Sequence, residues 1–272
     1  MPELAEVHTL AQQLNEALRG RIIRDIEIIN PKWLVEGDPA SLAGREVRSV
    51  TRWGKRMIWA FDDGQKLICG LGMTGGFLLD DLPPGKHTGA IIRFRDGAQV
   101  RYQDPRKFGR AHLFSDEEAM RAALSSRIGP DAAGPLRWHQ LKAAVGRGRL
   151  AIKPALLAQE RISGLGNYMG SEICHRAGVH PATAVCDLTR RDWVLLNRAR
   201  MQMIVAALNA KGLSFSDYRH ADGASGDMLR HLRVYGRDGQ PCLACRTPIT
   251  VSVLAGRSTF HCPSCQPERQ QR

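Results

Sequence analysis

Apolar positions in the first twenty residues recur at helical spacing. Val7, Leu10, Leu14 and Leu18 fall three and four apart, which predicts a helix over 4–20 with Gly20 placed as its C-terminal cap. From about 21 to 115 the pattern shortens: residues 22–29, 46–53, 57–63, 66–73, 89–97 and 99–104 read as strands between turn signals. Asp96-Gly97 marks a hairpin, because tight hairpin turns need positive φ. The first half is therefore expected to be a helix followed by an antiparallel β-sandwich, in an α+β chain. Beyond residue 116 Ala, Leu, Arg and Glu dominate, which predicts helices near 117–126, 138–146, 152–160, 167–177 and 188–211. Residues 216–230 read as a polar loop, and 234–266 as a small cysteine-bearing module. The expected domains are 1–115, 116–233 and 234–266, with 267–272 a tail.

That last module has a chemical reason for its cysteines. Cys242 and Cys245 form one CxxC pair, Cys262 and Cys265 a second, with sixteen residues between the pairs. Each pair lets two thiolates reach one ion, and two pairs complete a tetrahedron. Residues 247–253 alternate like a strand, Ala255-Gly256 can turn, and 257–261 can return, so a zinc-bound β-hairpin with Arg257 near its tip is expected. One Zn2+ would be structural, since four thiolates leave no open position. Two disulfides or a redox pair are the other reading. Compartment separates them: no run of 18 apolar residues exists, and Glu3 and Glu6 interrupt any N-terminal signal, so a reducing cytosol is expected. Cys69, Cys174 and Cys186 have no such spacing and read as ordinary core or surface residues.

Composition adds a partner. Lys and Arg total 39 against 27 Asp and Glu, a formal charge of +12, which fits a polyanion; an indifferent basic surface is the plainer alternative. Met1-Pro2 adds a possible nucleophile. Removal of Met1 would leave Pro2 a secondary amine; an α-amine has a reference pKa near 7.7–8.0, so a usable fraction is neutral at physiological pH. Attack on an aldehyde-like carbon would give an iminium, and Glu3 could shuttle protons beside it. Taken alone this is weak, because proline also suits a helix start.

Read together, MPELAEVHTL at 1–10, GLGMTG at 70–75, YQDPRKFGR at 102–110, GLGNYMGSEICHRAGVHP at 164–181 and the stretch from VYGRDGQPC to GRSTFHCPSCQ at 234–266 occur in one order. The chain resembles the formamidopyrimidine-DNA glycosylase and endonuclease VIII family over essentially its whole length. The resemblance implies a helix–two-turns–helix domain within 116–233 and a lesion loop at 217–229. It also implies a monomer in the bacterial cytosol or nucleoid, acting on double-stranded DNA with oxidised bases or abasic sites. By it, Pro2 attacks C1′, the base leaves, and two eliminations cut both flanking phosphates, with Glu3 as proton shuttle. Lys55, in the TRWGKRM strand, Asn167, Arg257 and Lys153 match phosphate contacts, Lys55 also aiding catalysis. Met73, Arg106 and Phe108 match the residues that fill the void left by an extruded base. Without the resemblance Lys55 reads as a solvated strand lysine, and Met73 and Phe108 as core.

The opening Pro-Glu-Leu and the presence of the 217–229 segment resemble the purine-directed branch, which removes 8-oxoguanine and formamidopyrimidines. Departures from that pattern are Ala5 for a second proline, His8 for an acid, Gly70 for a histidine, Ala158 for an aspartate, and Tyr168-Met169 for Ile-Tyr. None touches Pro2, Glu3, Lys55 or Arg257. An oxidised-pyrimidine enzyme and a non-catalytic DNA-binding relative stay open.

Overall fold

The protein, described here from a computed structural model, is defined over residues 2–125, 127–213, 221 and 226–268. Its chain divides into two compact units, Met1–Ser125 with Ala210–Asp227, and Ser126–Asn209 with Met228–Arg272. Of the segment expected at 217–229, residues 217–220 and 222–225 lie outside the described residues.

The first unit opens with α1 (Leu4–Leu18), whose Leu4, Val7, Leu10, Leu14 and Leu18 are all buried as the spacing requires. Arg19 and Gly20 end it, Gly20 at φ 83°. Among the described residues nine strands follow: β1 (Ile23–Ile28), β2 (Leu34–Glu36), β3 (Val47–Trp53), β4 (Arg56–Phe61), β5 (Lys66–Gly70), β6 (Gly76–Leu79), β7 (Thr88–Phe94), β8 (Gln99–Gln103) and β9 (Arg110–Phe114). They make one sheet ordered β1-β7-β8-β6 and another ordered β2-β9-β5-β4-β3. Trp33, Trp59, Phe77 and Tyr102 meet in the core at ring centroid distances of 5.0–6.4 Å. α1 packs against β3, β4 and β6, so it touches strands of both sheets.

The hairpin expected at Asp96-Gly97 joins β7 to β8, with Gly97 at φ 90° and the Phe94 N–H donating to the Ala98 carbonyl. Two details differ from the sequence expectation. β2 pairs with β9 in parallel, so the sheets are not wholly antiparallel. Lys55 lies not in a strand but in the two-residue turn Gly54-Lys55 joining β3 to β4, where Gly54 takes φ 58°. The unit also holds α2 (Glu117–Leu124), expected among the later helices, because α2 packs back on β9.

The second unit contains α3 (Trp138–Val145), α4 (Ile152–Leu157), α5 (Asn167–Ala177), α6 (Arg190–Asn209) and the hairpin β10 (Thr250–Leu254) with β11 (Arg257–His261). α5 packs on α4, α6 and β11. Gly170 permits the α4–α5 approach, since a Cβ there would lie 2.5 Å from Leu157 Cδ1. Buried Arg200 of α6 donates to the carbonyls of Ala132, Gly134 and Leu136, fixing the chain that leads into α3. No helix among the described residues is long and apolar enough to cross a membrane.

One position tests the packing of the sandwich. A Cβ on Gly109 would fall 1.7 Å from the Tyr102 hydroxyl and 3.0 Å from the Gly70 carbonyl. Gly109→Ala is therefore expected to cost about 3 kcal/mol, as overpacking does. Thermal unfolding with no loss of midpoint would show that the site relaxes freely.

Candidate active site and metal centre

Pro2 and Glu3 immediately precede the first residue of α1, and both are buried. Helix starts leave N–H groups without intrahelical partners. Here Glu6, 1% exposed, supplies one: its Oε2 accepts the Glu3 N–H at 2.7 Å. Its Oε1 accepts the Leu213 N–H at 2.5 Å, and a Cβ on Gly212 would press within 2.8 Å of the same carboxylate. Thus one buried acid fixes both the backbone next to Pro2 and the chain at 212–213. Sequence reasoning used Glu6 only to reject a signal peptide. An acid three residues after a helix N-cap is the signal it carries.

Met73, Arg106 and Phe108 sit on two loops of the same unit, between β5 and β6 and between β8 and β9. Met73 is 39% and Phe108 53% exposed, unusual for large apolar side chains and unlike the core reading open to both. Arg106 places its guanidinium 4.8 Å from the Phe108 ring centroid. Asp104 builds both loops. Its Oδ1 accepts Thr74 Oγ1–H at 2.6 Å and the Arg106 N–H at 3.2 Å; its Oδ2 accepts the Gly109 N–H at 2.7 Å and the Tyr102 hydroxyl at 3.2 Å. Burial and the Asp104 charge push the Tyr102 phenol upward, so it stays a donor. Lys107 sits at φ 55° in the loop so formed. Asp104-Pro105 reads from sequence as a turn; the loop-organising role of the carboxylate appears only in the fold.

In the second unit the structure brings Lys153, Asn167 and β11 together. Lys153 is 1% exposed, and its ammonium donates to Asn167 Oδ1 at 2.7 Å, the Ser258 carbonyl at 3.0 Å and Thr259 Oγ1 at 2.9 Å. Asn167 Nδ2 donates to the same Ser258 carbonyl. The approach to Asn167 is set by Gln159, whose Nε2 donates to the Leu157 and Leu165 carbonyls while its Oε1 accepts the Gly164 N–H. Arg257 is exposed and follows the turn Ala255-Gly256, where both residues take positive φ, 49° and 71°. Such a two-residue turn matches strand twist.

The four cysteines converge. Their sulfurs all lie within 4.8 Å of one another, with close approaches of 3.4, 3.5 and 3.9 Å. A tetrahedron with metal–sulfur bonds of about 2.3 Å has edges near 3.8 Å, whereas a disulfide needs about 2.05 Å. The donor set fits one soft-ligand metal, and the cysteines are free thiols. Backbone N–H groups of Ala244 and Cys265 point at the sulfurs of Cys242 and Cys262. Gln266 ties the second knuckle to the end of α5 by accepting the Cys262 N–H and donating to the Val179 carbonyl. Cys69 and Cys174 are buried, and burial pushes the Cys174 thiol up to about 12; Cys186 is exposed.

The β-sandwich with its buried helix start, the helical unit and the four-cysteine hairpin each fall on a stretch that matches a domain model of the DNA glycosylase class. Family models match three stretches: the formamidopyrimidine-DNA glycosylase N-terminal domain over residues 1–111, the H2TH domain of the same enzymes over 128–218, and the zinc finger found in FPG and IleRS over 239–267. The formamidopyrimidine-DNA glycosylase of Solibacter usitatus is 39% identical over 276 residues, covering 98% of this chain and 99% of that one. A Lactococcus lactis FPG variant in complex with Fapy-dG-containing DNA superposes with a TM-score of 0.92 at 30% identity, covering 98% of this chain and 100% of that one. Wild-type Lactococcus lactis Fpg with oxidized-pyrimidine-containing DNA gives a TM-score of 0.90 at 31% identity, with the same coverage. The chain belongs to the formamidopyrimidine-DNA glycosylase family.

The bonds of Lys153 make a prediction. Lys153→Met keeps the apolar stem and removes the buried ammonium that donates to Asn167, Ser258 and Thr259, an expected loss of about 2–4 kcal/mol. Differential scanning calorimetry should show a lowered midpoint. A variant that melts like wild type while losing DNA affinity would make Lys153 a free phosphate ligand.

Proposed function

We propose that the chain is a bifunctional DNA glycosylase and AP lyase that excises oxidised bases, 8-oxoguanine and formamidopyrimidines foremost, through a Schiff base on Pro2. The observation that carries this reading is the buried Pro2-Glu3 pair at the head of α1, with its backbone fixed by Glu6. With Met1 removed, the Pro2 nitrogen is a secondary amine that bonds to C1′ of the damaged nucleotide as the bond to the base breaks. The base departs with a proton, and the opened sugar is held as an iminium whose positive charge accepts electrons. Loss of a proton from C2′ expels the 3′ phosphate, a second proton loss expels the 5′ phosphate, and water releases Pro2. Glu3 shuttles the protons.

The remaining groups hold DNA. Lys55, Asn167 and Arg257 contact phosphates, the planar guanidinium gripping two oxygens at once. Amides at the start of α5 share the work. Lys153 supports this set from within, through Asn167 and β11. Met73, Arg106 and Phe108 enter the duplex where the base leaves, an apolar wedge, a cation and an aromatic ring. One structural Zn2+ on Cys242, Cys245, Cys262 and Cys265 folds the hairpin that carries Arg257. The partner is duplex DNA with an oxidised base or abasic site, as the contents of the Lactococcus complexes support. A second reading, oxidised pyrimidines, has the oxidized-pyrimidine complex in its favour.

Borohydride should trap a covalent adduct between the tag-free protein and duplexes holding 8-oxoguanine or an abasic site. An extra residue ahead of Pro2 should abolish it. No adduct from protein with verified methionine removal and tight binding would leave a lesion-binding relative without catalysis.

Metal removal makes a separate prediction. Chelated protein should lose affinity for abasic-site duplex in a gel-shift assay, because the hairpin presenting Arg257 has too small a core to fold alone. Undiminished binding by verified metal-free protein would remove the hairpin from the DNA contact.

A further inference from the structure

Cys242 and Cys262 are both fully buried, whereas Cys245 is exposed and Cys265 partly so. Cys242 is approached by a side chain from outside the hairpin. A thiolate enclosed this way cannot be neutralised by water, and four thiolates around one divalent ion carry a surplus negative charge. The Ala244 N–H, at 3.5 Å, supplies one donor. The other comes from outside the hairpin: His175 Nε2, on the last turn of α5, lies 3.6 Å from Cys242 Sγ. The second ring nitrogen, Nδ1, is buried with no hydrogen-bond partner. The tautomer that fits these surroundings carries its proton on Nε2, where an acceptor waits.

We infer that His175 is an outer-sphere ligand of the metal centre, its Nε2–H donating to the Cys242 thiolate and so holding that ligand in place. The inference rests on the reading of the four cysteines as a zinc site. Donors to metal-bound groups set ligand orientation and withdraw charge, and their loss commonly lowers metal affinity by about 10–100-fold. The bond has a second consequence. It runs from α5, the helix that starts at Asn167, to the knuckle that precedes β10, so metal loading and the packing of the hairpin against α5 share one contact.

The test uses the full-length protein loaded with one equivalent of zinc, with stoichiometry measured on wild type first. Competition with a chromophoric chelator at fixed pH should show at least about tenfold weaker zinc retention in His175→Phe, which keeps an aromatic ring without a donor. His175→Gln, which restores an N–H, should recover much of the difference. In cobalt-substituted protein, the sulfur-to-cobalt charge-transfer band should move to lower energy in His175→Phe, because an unbonded thiolate gives up electrons more easily. Equal zinc retention in wild type and His175→Phe overturns the inference and leaves the metal site standing. Equal weakening in the Phe and Gln variants also overturns it, since packing alone would then account for the loss. A wild-type protein that binds no zinc overturns the metal reading itself, and this inference with it.

Discussion

The role proposed for Pro2 sets a difficulty that the architecture of the first unit has to meet. Chain ends fray unless something ties them down, and a nucleophile must be held in position before it reacts. α1 meets that requirement by being buried from its first residue. Burial creates a second problem, because helix-start N–H groups then lose water. Glu6 answers it at the N-cap by accepting the Glu3 N–H, and its second oxygen takes the Leu213 N–H of the chain at 212–213. The acid is tolerable in the core because both oxygens are hydrogen-bonded. The cost of placing it there is offset by the apolar residues that α1 buries on β3, β4 and β6. Leu213 in turn forms an isolated bridge with Asp227, so the backbone beside Pro2 and both ends of the intervening segment share one anchor.

The second unit applies the same logic to cations. A lysine is seldom fully buried unless paired, and Lys153 is buried because three acceptors from α5 and β11 surround its ammonium. Two of those acceptors belong to the hairpin that carries the four-cysteine site. Asn167 therefore stands where a helix start, a buried ammonium and a hairpin meet. Tyr168 extends the link: its ring meets Tyr235 at 6.2 Å, and Tyr235 meets Phe260 of β11 at 5.1 Å. A departure from the family pattern at position 168 thus falls on an aromatic contact that the unit uses.

Much of this was legible in the sequence where the signal is local. α5 agrees with its expected bounds at both ends, and α1 and α3 to within two residues, because apolar spacing and glycine caps are near-neighbour properties. The CxxC spacing likewise specifies the cysteine tetrad. β2, β6 and β9 were not legible: β2 has three residues and pairs in parallel, and neither β2 nor β6 alternates cleanly between buried and exposed positions. Lys55 reads as a strand residue because the strands either side of it are continuous in composition; only the positive φ of Gly54 makes the turn. Asp104 and His175 were invisible for a different reason. Each acts through a partner distant in sequence, Thr74 for Asp104 and Cys242 for His175, and no periodicity encodes those pairings.

The departures from the family pattern can be weighed by what each would disturb. Ala5 is buried at the second helical position of α1, within the first turn, where a backbone N–H has no intrahelical partner and proline is also accepted. Exchanging one for the other removes no helical hydrogen bond, and the Ala5 carbonyl still accepts the Thr9 hydroxyl. Gly70 ends β5 opposite Arg110, and a Cβ there would meet only the Arg110 carbonyl, at 3.8 Å. A larger side chain is therefore sterically allowed, and its absence leaves the strand intact while removing a polar group from the loop start before Met73. Ala158 follows α4 and precedes Gln159, whose three hydrogen bonds hold the turn without help from a side chain at 158. These substitutions leave the backbone framework in place and change the groups it presents, so their effects are expected in lesion and partner-base preference before they appear in folding.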